Sequence, residues 1–212
     1  MNLKRVFLTG LARQLGHPRG VRGRLVAQRL NKANLDTITA AVAALEVAPG
    51  EVAADVGFGG GLGLALLLER AGQTGQVHGV DVSDLALSRA ARRHRAAVTS
   101  GRLFLHPASM TALPLSDGSV DAIMTVNTIY FVQDLNRAFA EFARVLGGAG
   151  RIVVGIGDPV AMARVPFVQY GFTVRPVPDV LQAMESAGLT ATAHDRVGDG
   201  DDAFHLLIAR TG

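Results

Sequence analysis

The sequence contains no cysteine. That removes disulfides, thiolate metal sites and a cysteine nucleophile together. It also fits a reducing compartment, and a cytoplasmic location is expected. Lysine is nearly absent: it stands only at Lys4 and Lys32, against 19 arginines. The longest apolar run, near residues 62–68, falls far short of the roughly 20 residues that a membrane-spanning helix needs, so no membrane span is expected. No secretory signal with a cleavage site is read at the start. The first residues are rich in arginine and poor in acid, as in a transit peptide. Arginine replaces lysine along the whole chain, however, and composition bias accounts for the pattern.

What remains is a chain of 212 residues, 49% apolar and 18% charged, long enough for one domain with a proper core. The net charge of +3 is unevenly spread. Residues 1–32 hold eight basic residues and no acidic one, while the remainder holds 13 basic and 18 acidic residues. This divides the chain into a basic N-terminal lid or appendage, 1–32, and a main domain, 33–212. A basic arm on an acidic body can bind nucleic acid or an anionic substrate. Here it lacks the interleaved aromatics that stack bases, Phe7 being alone, so nucleic acid is not the expected partner.

No internal repeat or low-complexity tract interrupts the main domain. Helical spacing runs over 34–47 and stops at Pro49-Gly50. Residues 51–56 read as a strand, 61–71 as a helix and 76–82 as a second strand. Ser83 or Asp84 caps a helix running to about Val98. A third strand covers 102–106, and the Ser116-Asp117-Gly118-Ser119 turn precedes a fourth over Val120–Val126. A helix over 134–146 ends at Gly147-Gly148, and a fifth strand covers 151–156. A helix over 178–187 ends at Gly188. Strands over 190–196 and 203–209, joined by an acidic turn, form an antiparallel hairpin. Strands alternating with helices predict an α/β fold: a doubly wound, mostly parallel seven-stranded sheet whose terminal hairpin adds an antiparallel edge strand.

The first strand–loop–helix crossing reads "EVAADVGFGGGLGLALLLERAG", from Glu51 to Gly72. Glycines at that point let the loop turn tightly and let a ligand approach the main chain, and ligands of such sheets bind where strands end and helices begin. A P-loop would need Gly-Lys-Ser/Thr, which does not follow. The dinucleotide fingerprint needs a small third residue, and Leu62 stands there. The pattern is instead G-x-G-x-G, with Asp55 two residues ahead of it. Asp81 lies near the end of the second strand, "VHGVDV", 20 residues after Gly61, where a carboxylate can accept both ribose hydroxyls of an adenosine.

Across residues 31–157 the chain resembles the class I S-adenosylmethionine-dependent methyltransferases, in the small-molecule branch related to ubiquinone/menaquinone-type enzymes. Four stretches carry the resemblance in order: "ADVGFGGG", "GVDVS", "ASMTALPLSDGSVDAIMTVNTIYFVQD" and "RAFAEFARVLGGAGRIVV". It implies a Rossmann-like fold and S-adenosyl-L-methionine as cofactor, with S-adenosyl-L-homocysteine as product. By the same resemblance Asp55, Gly57, Phe58, Gly59 and Gly61 line the methionine end, Asp81 and Val82 the ribose side, and Asn127 the methionine portion. The family's Gly-Asp-Ala before the x-x-Leu-Pro turn is replaced by Ala108-Ser109-Met110, so Ser109 and Met110 take the adenine positions. Asn31 and Asn34 of "LNKAN" match the segment that closes over the cofactor.

Such a cofactor carries the difficult chemistry, and the protein must orient an acceptor and in some cases take its proton. The sequence offers no evident base. His78 and His106 fall in strands, His94 on an arginine-rich helix as a surface residue, and His194 and His205 in the late strands, all read as structural. His17 in the basic arm and Tyr130 after the fourth strand are the catalytic candidates. Tyr130, Phe131, Arg164, Phe167 and Tyr170 are the candidates for the acceptor side, the last three within a cover over 159–173. No carboxylate–histidine cluster suggests a metal.

The expectation is methyl transfer to an O or N atom of a small organic molecule, in biosynthetic or secondary metabolism, by a monomer or homodimer. The segment Asn127-Thr128-Ile129-Tyr130 is not the Asn/Asp-Pro-Pro-Tyr/Phe run used on planar amides. The first alternative is an RNA methyltransferase using the basic arm. More distant are an NAD-dependent oxidoreductase, opposed by Leu62, and a non-catalytic cofactor-binding protein.

Overall fold

A computed structural model of the chain describes residues 35–164, 168, 171–198 and 203–212. The basic arm lies outside the described residues, and with it His17, Asn31 and Asn34; so do Phe167 and Tyr170.

The strands are β1 (Val52–Val56), β2 (Gln76–Asp81), β3 (Leu103–Pro107), β4 (Val120–Val126), β5 (Leu146–Gly157), β6 (Leu189–Val197) and β7 (Phe204–Thr211). They form one sheet of seven strands in the order β3-β2-β1-β4-β5-β7-β6. The first five are mutually parallel. From β1 the chain winds outward to β2 and β3, then returns to lay β4 and β5 on the other side. The switch point therefore lies between β1 and β4, where a doubly wound sheet opens a crevice at its carboxyl edge.

Helices cover both faces. On one, α1 (Leu35–Leu45) and α2 (Leu62–Ala71) pack Leu45, Leu64 and Leu67 against Met124 and Val153, with α3 (Asp84–Arg93) contributing Ala86 and Ala90. On the other, α5 (Leu135–Val145) and α7 (Val177–Ser186) bury Phe139, Phe142 and Met184 with Leu189. The buried positions of α5, namely Leu135, Ala138, Phe139, Phe142 and Val145, recur at helical spacing and give it one apolar stripe. Asp134 caps it by accepting the Arg137 N–H at 2.9 Å.

Three expectations are corrected. The antiparallel strand is not at the edge: β7 lies between β5 and β6, antiparallel to both. Its apolar residues Phe204, Leu206 and Leu207 need cover on both faces, whereas β6 is mostly exposed and polar and tolerates the edge. The helix after Ser83 is not continuous. It breaks at His94, leaving α3 and the short α4 (Arg95–Thr99). Finally, α5 stops at Val145 rather than at the glycines. Leu146 already pairs with Val120, and the register shift between Val120 and Ala122 takes up the glycine-rich stretch that follows Leu146. A 3-10 turn (Ile129–Phe131) and a helix α6 (Pro159–Arg164) add to the carboxyl side of the sheet. No helix among the described residues is long and apolar enough to cross a membrane.

Candidate active site

The loop from β1 to α2 turns through Gly57 (φ 78°), Gly59 (φ 48°) and Gly61 (φ 78°). At Gly57 glycine is required twice. The backbone is left-handed, and a Cβ would overlap the side chain of Thr128. Thr128 in turn donates to the carbonyls of Val126, at 2.9 Å, and Gly57, at 3.3 Å, which ties the loop to the end of β4. Among the described residues, a Cβ on Gly59 would meet nothing closer than the Gly57 carbonyl at 3.9 Å.

Asp81 ends β2 beside this loop and is buried. Its Oδ2 accepts the Gly59 N–H and its Oδ1 the Ser83 N–H, each at 2.8 Å. These bonds fix the carboxylate at the end of β2, beside the loop, and a carboxylate is the residue type that accepts hydroxyl groups. Val82, 50% exposed, offers an apolar surface next to that carboxylate.

Asp55, on β1, is almost fully buried, which pushes its pKa up to about 8, with the charge of Asp81 adding to the effect. Gly63 makes room for it: a Cβ there would overlap the Asp55 carboxyl group and come within 2.9 Å of Met124 Cε. The sequence reading passed over Gly63 because it lies inside a helix pattern.

Past β4, Asn127 holds a left-handed backbone (φ 54°), which asparagine tolerates better than most residues. Its N–H donates to the Gly155 carbonyl at 2.8 Å. Its Oδ1 accepts the Tyr130 hydroxyl at 3.1 Å and the Gly157 N–H at 3.2 Å. The same N–H also reaches the Tyr130 oxygen at 2.7 Å. Tyr130 is thus locked between the ends of β4 and β5. Burial raises its pKa well beyond the usual phenol range, and the Gly157 N–H offsets only part of that. As placed, this hydroxyl holds other groups and is a poor base. Phe172 packs on Phe131 (centroids 4.7 Å apart) and on Tyr130 (5.8 Å), making an aromatic wall. Arg175 binds the turn from outside, donating to the carbonyls of Ile129, Val132 and Gln133.

Other candidates sit elsewhere than their residue type suggests. The Phe58 and Met110 side chains are core residues, Phe58 under β2 against Gly79, so at Phe58 only the backbone faces outward with the loop. Ser109 is exposed, and its hydroxyl pairs with that of Thr111 at 2.9 Å. Arg164 ends α6 and is exposed. His94 is not a surface residue: it is half-buried and turned toward the backbone of Gly61. Burial and then Arg93 lower its pKa, against the pull of Gly61. His78 and His106 pair through their rings at 3.0 Å on neighbouring strands, and burial pushes His78 down to about 4.

Residues 54–154 match the family model described as a methyltransferase domain. The chain is 36% identical over 115 residues to a transposon protein of Streptomyces fradiae. It is 31% identical over 120 residues to an arsenite methyltransferase of Halobacterium salinarum. These stretches cover 54% and 57% of this chain but 32% and 30% of the relatives, so the chain spans about a third of their length. The crystal structure of an S-adenosylmethionine-dependent methyltransferase from Aquifex aeolicus superposes with a TM-score of 0.72, over 96% of this chain and 98% of that one, at 18% identity. The two share a fold, and residues 54–154 of this chain are similar to a methyltransferase domain.

Proposed function

We propose that this chain is a class I methyltransferase that uses S-adenosylmethionine to methylate an O or N atom of a small organic molecule in biosynthetic or secondary metabolism, releasing S-adenosylhomocysteine. The observation that carries this reading is the Asp81 carboxylate, held by the N–H groups of Gly59 and Ser83 at the rim of the glycine loop.

The residues present fit that cofactor. Asp81 is a carboxylate, the group suited to a ribose hydroxyl pair, and Val82 offers an apolar surface beside it for the base. Among the described residues nothing crowds Gly59, which leaves its backbone for a ligand to lie against. Asp55 is buried against Gly63 where α2 begins, and Thr128, next to Asn127 in the chain, ties the end of β4 to the loop at Gly57. When bound, the cofactor supplies an electrophilic methyl group on a sulfonium. The chain's own residues then have to orient an acceptor and exclude water, which is where most of the rate enhancement would come from.

The acceptor side is assigned to Asn127, Tyr130, Phe131 and Phe172, at the carboxyl ends of β4 and β5. These groups are largely apolar, and the one hydroxyl among them is already committed. The wall therefore suits an acceptor that binds uncharged or loses its proton readily. Arsenite, named for one relative, is a poor candidate here, because soft centres prefer thiolates and this chain has no cysteine.

The test is calorimetric titration of the full chain with S-adenosylmethionine, S-adenosylhomocysteine and NAD in parallel. Binding of the first two in the micromolar range, with none of NAD, is the expected result. Binding of NAD alone, or of none of the three, overturns the reading.

A further inference from the structure

Three residues that the sequence reading treated separately meet at the carboxyl edge of the sheet. Asp158 directly follows β5. His205 lies near the start of β7, opposite Ile156, and because β7 runs antiparallel its first residues come to the same edge. His194 lies on β6 beside it. The distances form a chain: His205 Nε2 to Asp158 Oδ2 is 3.2 Å, and His194 Nε2 to His205 Nδ1 is 2.8 Å. Asp158 Oδ1 meanwhile accepts the N–H groups of Val160 and Ala161, each at 3.0 Å, and so caps α6.

Donor chemistry fixes the protons. The Asp158 carboxylate is held below its ordinary range, first by the Ala161 N–H and then by His205, so it only accepts. His205 must therefore carry its proton on Nε2. A neutral imidazole has one N–H, so Nδ1 is left as an acceptor, and His194 must donate to it from Nε2. His205 is buried while His194 faces solvent. Arg196 also faces this carboxylate, its Nε lying 3.7 Å from Asp158 Oδ2. Burial and then His205 lower the His194 pKa, against the pull of neighbouring Asp195.

The residue before Asp158 is Gly157, whose N–H is held by Asn127 and Tyr130. We propose that His205 is a positioning residue for this site: fixed in one tautomer between Asp158 and His194, it holds the Asp158 carboxylate where it caps α6 and so keeps the end of β5 set against Asn127 and Tyr130. Its place in catalysis rests on the methyltransferase reading; the hydrogen-bonded chain does not.

Imidazole nitrogen–proton correlation spectra of the full chain, at a pH where the histidines are neutral, give the first test. His205 and His194 should both appear as the Nε2–H tautomer; His205 as Nδ1–H overturns the proposal. Amide hydrogen exchange gives the second. His205→Ala should speed exchange at Val160 and Ala161 about five- to tenfold, the scale of a lost helix cap. His205→Gln, whose side-chain amide can donate to Asp158, should restore most of it. Unchanged exchange in His205→Ala overturns the proposal, and if that variant does not fold, the tautomers of the unsubstituted chain still decide. S-adenosylhomocysteine titration of the same samples separates the two readings. A chain that fails to bind it loses the methyltransferase assignment, while the tautomers and exchange rates continue to decide the role of His205.

Discussion

The backbone N–H of Gly59 donates to Asp81 Oδ2 at 2.8 Å, across 22 positions of sequence. This contact joins the two halves of the candidate cofactor site: the loop that offers bare backbone and the carboxylate that offers charge. Asp81→Ala removes both at once, the charged acceptor and the support of the loop. It should weaken S-adenosylmethionine binding by about 1–3 kcal/mol, the range for a lost hydrogen bond to a charged group. Calorimetry on the purified variant measures this, and unchanged affinity would remove the ribose assignment.

Asp55 makes the fold sensitive to pH in a direction opposite to that of a salt-bridged carboxylate. Its folded pKa is about 8, against an ordinary value of 3.8. Below the lower value both folded and unfolded chains hold the proton, and Asp55 has no effect. As the pH rises between the two values, the unfolded chain releases its proton while the folded chain keeps it, so stability falls. Above about 8 the folded chain ionises as well and the penalty levels off. Asp55→Asn carries no such penalty. The melting temperature of the unsubstituted chain should therefore drop relative to Asp55→Asn as the pH rises across this window. Parallel profiles would show that Asp55 is ionised in the folded chain. If a cationic ligand comes to rest beside Asp55, its binding near neutral pH should also release a proton, read as a buffer dependence of the binding enthalpy.

Legibility from sequence followed the range of the interactions. The β1–loop–α2 crossing and Asp81 were readable because the glycines, the apolar run and the spacing to the acid are local or nearly so. The place of β7 was not: an antiparallel hairpin is visible in the pattern, but which of its strands pairs with β5 depends on the burial of Phe204, Leu206 and Leu207 between two sheet faces. His94 looked like one more polar position on a charged helix. Its turn toward Gly61 depends on a helix break that no proline or glycine marks. The Asp158–His205–His194 chain is drawn from three strand regions with no shared local pattern, so only the register of β5, β6 and β7 reveals it.

Tyr130 shows how a residue can be placed correctly in the chain and still have its role altered by its surroundings. Its hydroxyl donates to Asn127 and accepts from Gly157, and both bonds are away from bulk water. Tyr130→Phe should lower stability by about 1 kcal/mol, since Asn127 can still accept the Gly157 N–H after the hydroxyl is gone. Denaturant unfolding measures this. Affinity for S-adenosylhomocysteine should change little, whereas turnover with an identified acceptor should fall further if the hydroxyl positions that acceptor. Equal and small effects on both would leave Tyr130 as a packing residue.

Arg151 offers the opposite case, a charged residue whose removal should damage the fold and spare the site. It lies on β5 at the amino edge of the sheet, away from the glycine loop, and is buried. Its guanidinium grips the Glu51 carboxylate with two nitrogens, at 3.1 and 2.6 Å, and also donates to the carbonyls of Leu45, at 2.5 Å, and Glu46, at 2.8 Å. The Arg151 hydrogen bond is the main reason Glu51 sits below its ordinary carboxylate pKa. One planar fork thus fastens the C-terminus of α1 to β1 and β5. Arg151→Ala orphans the two carbonyls and the carboxylate together and should cost about 3 kcal/mol. Arg151→Lys should recover only part of this, because a single ammonium cannot reproduce the fork. Chemical denaturation gives both numbers. In the temperature range where the variants remain folded, their affinity for S-adenosylhomocysteine should match the unsubstituted chain; a parallel loss of affinity would mean that α1 and the amino edge support the site more directly than this geometry indicates.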